Sequence, residues 1–233
     1  MISLSLKVDR GRMALVSSLF SRNQAFIFDL DGVLVDTAVF HYRAWKRLAN
    51  SLGFDFTEQQ NEHLKGISRM QSLAYILEWG GVEVDEAEKT HLATRKNAWY
   101  LEMVEAMDAD DVLPGATEFL AYARESGKRI ALGSASKNAQ LILERTGIVR
   151  FFDVIVDGNS VTESKPDPAV FLRAAAALQC SPAESLVFED AQAGVQAARA
   201  AGMDVIGIGQ EHDLEEADLV VKDLAALRRM LYA

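Results

Sequence analysis

The chain has 233 residues, nearly half apolar and a quarter charged, with four prolines, a composition that builds a globular core rather than a disordered chain. Its net charge of −10 argues against broad binding to nucleic acid or to an anionic membrane surface, both of which select basic faces. Cys180 is the single cysteine. This excludes an intrachain disulfide and a multi-cysteine zinc site and fits a reduced, cytoplasmic setting, with Cys180 expected as small buried packing.

Residues 1–23 are mildly basic, and Lys7, Asp9, Arg10 and Arg12 interrupt their apolar runs. They read as an extension before the first core strand rather than as a signal peptide, with Met13 an alternative start and a transit peptide the lesser reading. No run approaches the ~20 apolar residues that span a membrane. AFIFDL (25–30) is expected to be a buried parallel strand that ends in acids and Gly32. Similar runs follow at 129–136, 152–158, 185–190, 204–209 and 218–221. The helical patterns GATEFLAYARESG, KNAQLILERTG, DPAVFLRAAAALQ and AQAGVQAARAAG alternate with them, several closed by glycine. The alternation predicts an α/β fold, a parallel sheet covered by helices.

Residues 37–112 break that alternation with helical spacing and no convincing strand. They are expected to form a helical cap domain inserted between the first two strands, which leaves 24–36 and 113–233 as the core. Both links to the cap then cross near the carboxyl end of the first strand, where open α/β sheets bind ligands. Trp45, Trp79 and Trp99 all fall in the insert; for the last two, cap-core packing is expected.

Asp29 and Asp31 lie two apart at the end of the first strand, so a continued strand pattern would put both on one face. Gly32 permits the tight turn that follows. Two such carboxylates raise each other's pKa unless a cation intervenes, which invites Mg²⁺, a shared proton, or both. Glu189 and Asp190 end another strand and bring two more acids to the same edge of a parallel sheet. Four carboxylates there make an oxygen-ligand site for a hard cation.

FDLDGVLVDT resembles the nucleophile motif of the haloacid dehalogenase superfamily. Ser134, Lys165 in SKPDP, and Glu189 and Asp190 in FEDAQAG follow in the superfamily's order, over about residues 25–210. The resemblance implies a Rossmann-like core with Asp29 as the nucleophile that becomes an aspartyl phosphate. It makes Asp31 the general acid and base, which also offers its backbone carbonyl to Mg²⁺. A carboxylate is a competent nucleophile toward phosphorus once a cation neutralises the incoming anion. Aspartate at position 31 excludes the dehalogenase and phosphonatase branches, which carry another residue there. Ser134 and Lys165 are the implied phosphate grip, one a hydroxyl donor and the other a point charge.

Four local patterns narrow the resemblance to the β-phosphoglucomutase family. They are DTAVFHYRAWK with His41 and Trp45, LKGISR with Lys65, Gly66 and Arg69, RKNAWY with Lys96 and Asn97, and SASKN, which spans Ser134, Ala135, Ser136, Lys137 and Asn138. A mutase holds a bisphosphate by its second phosphate while the first reacts, so it needs a distal cationic site. Arg69 offers a planar fork for that phosphate, helped by Lys137 and Asn138, with Lys65 and Lys96 as further candidates. Gly66 lets backbone approach the sugar hydroxyls. Thr37 and His41 are four apart and share one side of the first cap helix; the resemblance puts them in the hinge that brings Asp31 into register. The implied protein is a cytoplasmic monomer that uses Mg²⁺ and a sugar phosphate with its bisphosphate, without a nucleic-acid or membrane partner. A sugar-phosphate phosphatase using the same residues is the nearest rival, and an idle binding protein on this fold is a remoter one.

Overall fold

A computed structural model describes residues 2–65 and 67–232, with side-chain environments from residue 10 onward. Among the described residues six parallel strands form one sheet: β1 (Ala25–Phe28), β2 (Arg129–Gly133), β3 (Val154–Val156), β4 (Ser185–Glu189), β5 (Asp204–Ile208) and β6 (Leu219–Val221). Their order is β3-β2-β1-β4-β5-β6, the open doubly wound arrangement in which the strand order reverses between β1 and β4. Side chains alternate across the sheet as the pleat requires. Phe26 and Phe28 enter one core, and Ala25 and Ile27 the other. Phe28 stacks on Phe188 of β4 with ring centroids 4.4 Å apart, and burial of each such ring contributes about 1.5–3 kcal/mol.

Helix α1 (Ile2–Arg22) precedes the sheet, and α2 (Ala38–Ser51), α3 (Glu58–Glu62), α4 (Arg69–Gly80) and α5 (Glu86–Val104) follow β1. The remaining helices are α6 (Ala116–Glu125), α7 (Ala139–Arg145), α8 (Ala169–Ala177), α9 (Gln192–Ala200) and α10 (Leu224–Tyr232). Helices α1, α6, α7 and α10 cover the face that carries Phe28, and α8 and α9 cover the other. The segment read as an extension is therefore helical and joins the core from Val16 onward. Val16 and Leu19 are fully buried, Phe20 meets Phe26 edge-on at 4.8 Å, and Arg22 and Asn23 both bond Asp204. None of the described helices is long and apolar enough to cross a membrane.

Helices α2 to α5 enclose their own core, which includes Trp45, Leu48, Phe56, Leu73, Ile76 and Leu92. Thr57, Ser68 and Asp85 cap α3, α4 and α5 through side-chain oxygens, satisfying N–H groups that the first turn leaves free. Two expectations need correction here. Trp79 stays 38% exposed, stacked beside Tyr75 and Phe56, and Cys180 is half-buried rather than enclosed. The links into and out of these helices pair with each other: Val35 bridges Val112, and the Leu113 N–H donates to the Leu34 carbonyl at 2.9 Å. Both links thus run beside the carboxyl end of β1.

Candidate active site

Strands β1 and β4 are neighbours with Phe28 opposite Phe188, so Asp29 emerges beside Glu189 and Asp190 at the reversal of strand order. The Asp29 N–H donates to the Phe188 carbonyl at 2.9 Å and fixes this residue just past the strand. Because β1 stops at Phe28, Asp31 lies in the following turn and does not reach the site by strand alternation. Carboxylate oxygens of Asp29, Glu189 and Asp190 lie within 4.8 Å of one another.

Lys165 sits behind this cluster. Its ammonium is 1% exposed and donates to Asp29 Oδ1 at 2.6 Å and to Glu189 Oε2 at 3.0 Å. Burial opposes that charge, but Asp29 and Glu189 outweigh it and hold the ammonium above its ordinary pKa. Burial first, and then the charge on Asp29, push Glu189 well above the usual carboxyl range and Asp190 up to about 7. Three acids against one ammonium give an excess of negative charge once they ionise, and an all-oxygen donor set suits a hard divalent cation that would favour that ionisation. The backbone is shaped to the cluster as well. Gly32 has φ +76°, and a Cβ there would come within 2.0 Å of Asp190 Oδ2, so only glycine leaves that carboxylate in place.

The Asp31 side chain turns away from the cluster and accepts a hydrogen bond from Thr37 Oγ1, which in turn accepts one from the Tyr100 hydroxyl at 3.0 Å. Thr37 and Tyr100 are fully buried. Burial lifts Asp31 to about 6 while the Thr37 bond restrains the rise, which poises a carboxyl to exchange protons near neutrality. No sequence motif marks Tyr100 as a site residue. Its one signal is the spacing of four from Lys96, which puts both on one side of α5. Lys96 Nζ lies 2.8 Å from His41 Nδ1 and over the rings of Trp45 and Tyr100 at 4.5 and 4.7 Å. Burial first, with neighbouring cations second, pushes both His41 and Lys96 well below their ordinary pKa values. A neutral His41 that accepts at Nδ1 fits this contact.

A cavity of about 540 Å³ separates the sheet edge from the cap helices. The loop from Ser134 to Asn138, together with Asp29, Asp31 and Asp190, forms its floor; His41, Lys65 and Arg69 reach it from the cap. Other expected residues stand elsewhere. Lys165 does not line the cavity; its ammonium reaches Asp29 and Glu189 from behind. Lys96 and Trp45 also border the cavity but are only 1% and 2% exposed and are largely spent on each other. Asn97 lies off the cavity, and its Oδ1 accepts a bond from Asn138 Nδ2 at 2.9 Å, tying cap to core. Thr37 and Glu189 are fully buried, and Gly66 lies outside the described residues.

Known proteins share this organisation. A family model for haloacid dehalogenase-like hydrolases matches residues 24–202. The β-phosphoglucomutase of Bacillus subtilis (strain 168) is 44% identical over 206 residues, covering 88% of this chain and 91% of its own length. The solved β-phosphoglucomutase of Clostridium difficile aligns with a TM-score of 0.85 at 39% identity, over 90% of this chain and 97% of that one. A phosphorylated carbohydrates phosphatase of Thermotoga maritima is 30% identical, over 85% of this chain and 90% of its own length.

Proposed function

The chain belongs to the haloacid dehalogenase-like hydrolase family, and from that premise we propose a Mg²⁺-dependent phosphomutase that interconverts β-D-glucose 1-phosphate and D-glucose 6-phosphate. The observation that carries this reading is the second set of cations: Lys65 and Arg69 of the cap and Lys137 of the core border the same cavity as Asp29. A hydrolase needs positive charge only at the phosphate being transferred. A bisphosphate intermediate needs it at both ends.

In the proposed cycle phosphorylated Asp29 gives its phosphoryl group to the 6-hydroxyl of β-glucose 1-phosphate while Asp31 takes the hydroxyl proton. The bisphosphate then turns round within the cavity. Asp29 attacks the C1 phosphate, Asp31 returns the proton to the departing oxygen, and glucose 6-phosphate leaves. Asp29, Glu189 and Asp190, with the Asp31 carbonyl, would hold Mg²⁺, which supplies neutralisation of phosphoryl charge when bound. Thr37 and Tyr100 hold the Asp31 carboxyl in one orientation, and Lys165 fixes the nucleophile from behind. Cap closure excludes water, which would otherwise hydrolyse the aspartyl phosphate. We take the working form to be a cytoplasmic monomer acting on small molecules alone.

The relation to the Thermotoga maritima phosphatase supports a second reading, in which water replaces the sugar hydroxyl as acceptor and the same residues act as a sugar-phosphate phosphatase. Incubation with Mg²⁺, β-glucose 1-phosphate and a trace of glucose 1,6-bisphosphate separates the two when glucose 6-phosphate and free phosphate are both measured. Isomer without stoichiometric phosphate supports the mutase, and phosphate release supports the phosphatase. Neither product sinks both.

A further inference from the structure

The cations that suit phosphate occupy part of the cavity wall, and helix α3 presents different chemistry. It borders the cavity with Glu58, Asn61 and Glu62. Two carboxylates repel phosphate, and the proposed cycle uses none of the three side chains. Glu62 is turned to Lys65 at 2.7 Å. Asn61 is 93% buried, being only 7% exposed, and its side-chain amide makes no hydrogen bond among the described residues. Its oxygen and nitrogen are not among the fully enclosed side-chain atoms left unpaired, which belong to Asn23, Arg95, Gln192 and Arg228, so the amide keeps an opening to the cavity it borders.

The cap holds Asn61 in this position without using its amide. Phe56 and Leu64, on either side of α3, are both buried in the cap core, and a capping box between Thr57 and Gln60 closes the helix start. The amide therefore meets the cavity as a preset donor and acceptor. Hydroxyls both donate and accept, as an amide does, and they tolerate neighbouring carboxylates that anions do not.

We infer that Asn61 reads a ring hydroxyl of the substrate and that α3 is the sugar-selecting wall of the cavity, with Glu58 a second acceptor. This rests on the reading of the substrate as a sugar phosphate. A bisphosphate whose two charged ends lie on the cations presents its neutral polyol ring to the remaining wall. A site built to bond a hydroxyl rejects the analogue that lacks it, because its own polar group is then left unpaired.

The test compares kcat/KM for wild type, Asn61→Leu and Asn61→Asp on glucose phosphate, its 2-, 3- and 4-deoxy analogues, and acetyl phosphate, which has no ring. Isomer and free phosphate are both recorded. Asn61→Leu is expected to lose about 10- to 100-fold on glucose phosphate. It should lose by the same factor the discrimination against one particular deoxy analogue, with acetyl phosphate hydrolysis unchanged within about twofold. Asn61→Asp, of nearly the same shape, keeps an acceptor and part of the discrimination. Each ratio is taken within one preparation, so a fraction of unfolded protein cancels. Equal loss on every substrate, acetyl phosphate included, or no loss on any, overturns the assignment. Phosphate in place of isomer would overturn the mutase reading alone, since the same ratios are then read from phosphate release. A wild-type protein that turns over no sugar phosphate overturns both.

Discussion

Removing the divalent cation should make the folded protein lose stability as the pH rises from 5 to 8, the reverse of ordinary acid denaturation. Asp190 sits at about 7 and Asp31 at about 6, each against an ordinary 3.8. A carboxyl whose pKa is raised by folding binds its proton more tightly in the folded state. The stability it contributes is fully present below the ordinary value and disappears as pH rises through the folded value. At about 1.4 kcal/mol per pH unit, the rises amount to about 4 kcal/mol for Asp190 and about 3 kcal/mol for Asp31. Both carboxyls border the cavity and keep some solvent contact, so these are upper figures. Between pH 5 and pH 8 a loss of about 2–4 kcal/mol is expected, a large fraction of a typical total of about 5–15 kcal/mol. In urea this displaces the midpoint by about 1 M. Far-ultraviolet circular dichroism in EDTA reports the change across the whole chain, whereas all three tryptophans lie between β1 and β2 and report that region alone. Addition of Mg²⁺ should flatten the dependence, and an Asp31→Asn, Asp190→Asn double variant should show a shallower one, with Glu189 supplying what remains. Metal-free stability that holds level or rises over this range, or an unchanged slope in the double variant, would refute the account of these carboxyls.

Asp29→Asn should abolish isomerisation and hydrolysis alike, and survival of either in a coupled assay would remove Asp29 as nucleophile. Arg69→Ala is expected to lower mutase turnover by about 10- to 100-fold, the size of loss expected when one charged hydrogen-bonding partner is removed, while sparing acetyl phosphate hydrolysis; equal loss of both would place Arg69 outside a distal phosphate site. Thr37→Val removes the hydrogen bond that lowers the Asp31 pKa, so the acidic limb of the kcat profile should move to higher pH and kcat at pH 7 should fall. An unmoved limb would separate Thr37 from Asp31. Gly32→Ala drives a methyl into Asp190 and should weaken Mg²⁺ binding, measured by calorimetry, together with a stability loss of about 1–3 kcal/mol; normal affinity would show that Asp190 is not held by this turn.

Much of the architecture was legible because short apolar runs alternate with helical spacing, and a buried parallel strand cannot be written otherwise. All six strands fall within the expected runs, though β1 is shorter because the backbone turns at Asp29. Nothing in residues 1–23 marks α1 as part of the core rather than an extension. Its buried residues, Val16, Leu19 and Phe20, are close-spaced and lie among serines and arginines, so their partners on β1 and α6 could not be inferred from the segment itself.

At the site, residue types and spacing alone pointed to acids gathered at two strand ends, a set suited to a hard cation, and the nucleophile role of Asp29 came only with the resemblance of FDLDGVLVDT to the haloacid dehalogenase motif. Those features are set locally, by the few residues at which a strand gives way to a turn. Which groups actually meet was decided by the fold. The pairing of β1 with β4 brings Asp190 to Asp29, and packing puts Lys165 behind Asp29, Tyr100 on Thr37 and Asn97 on Asn138. A motif specifies a side chain and its place along the backbone. It does not specify depth beneath a cavity, or which neighbour from a distant segment reaches a polar atom first, because both depend on how separate elements pack.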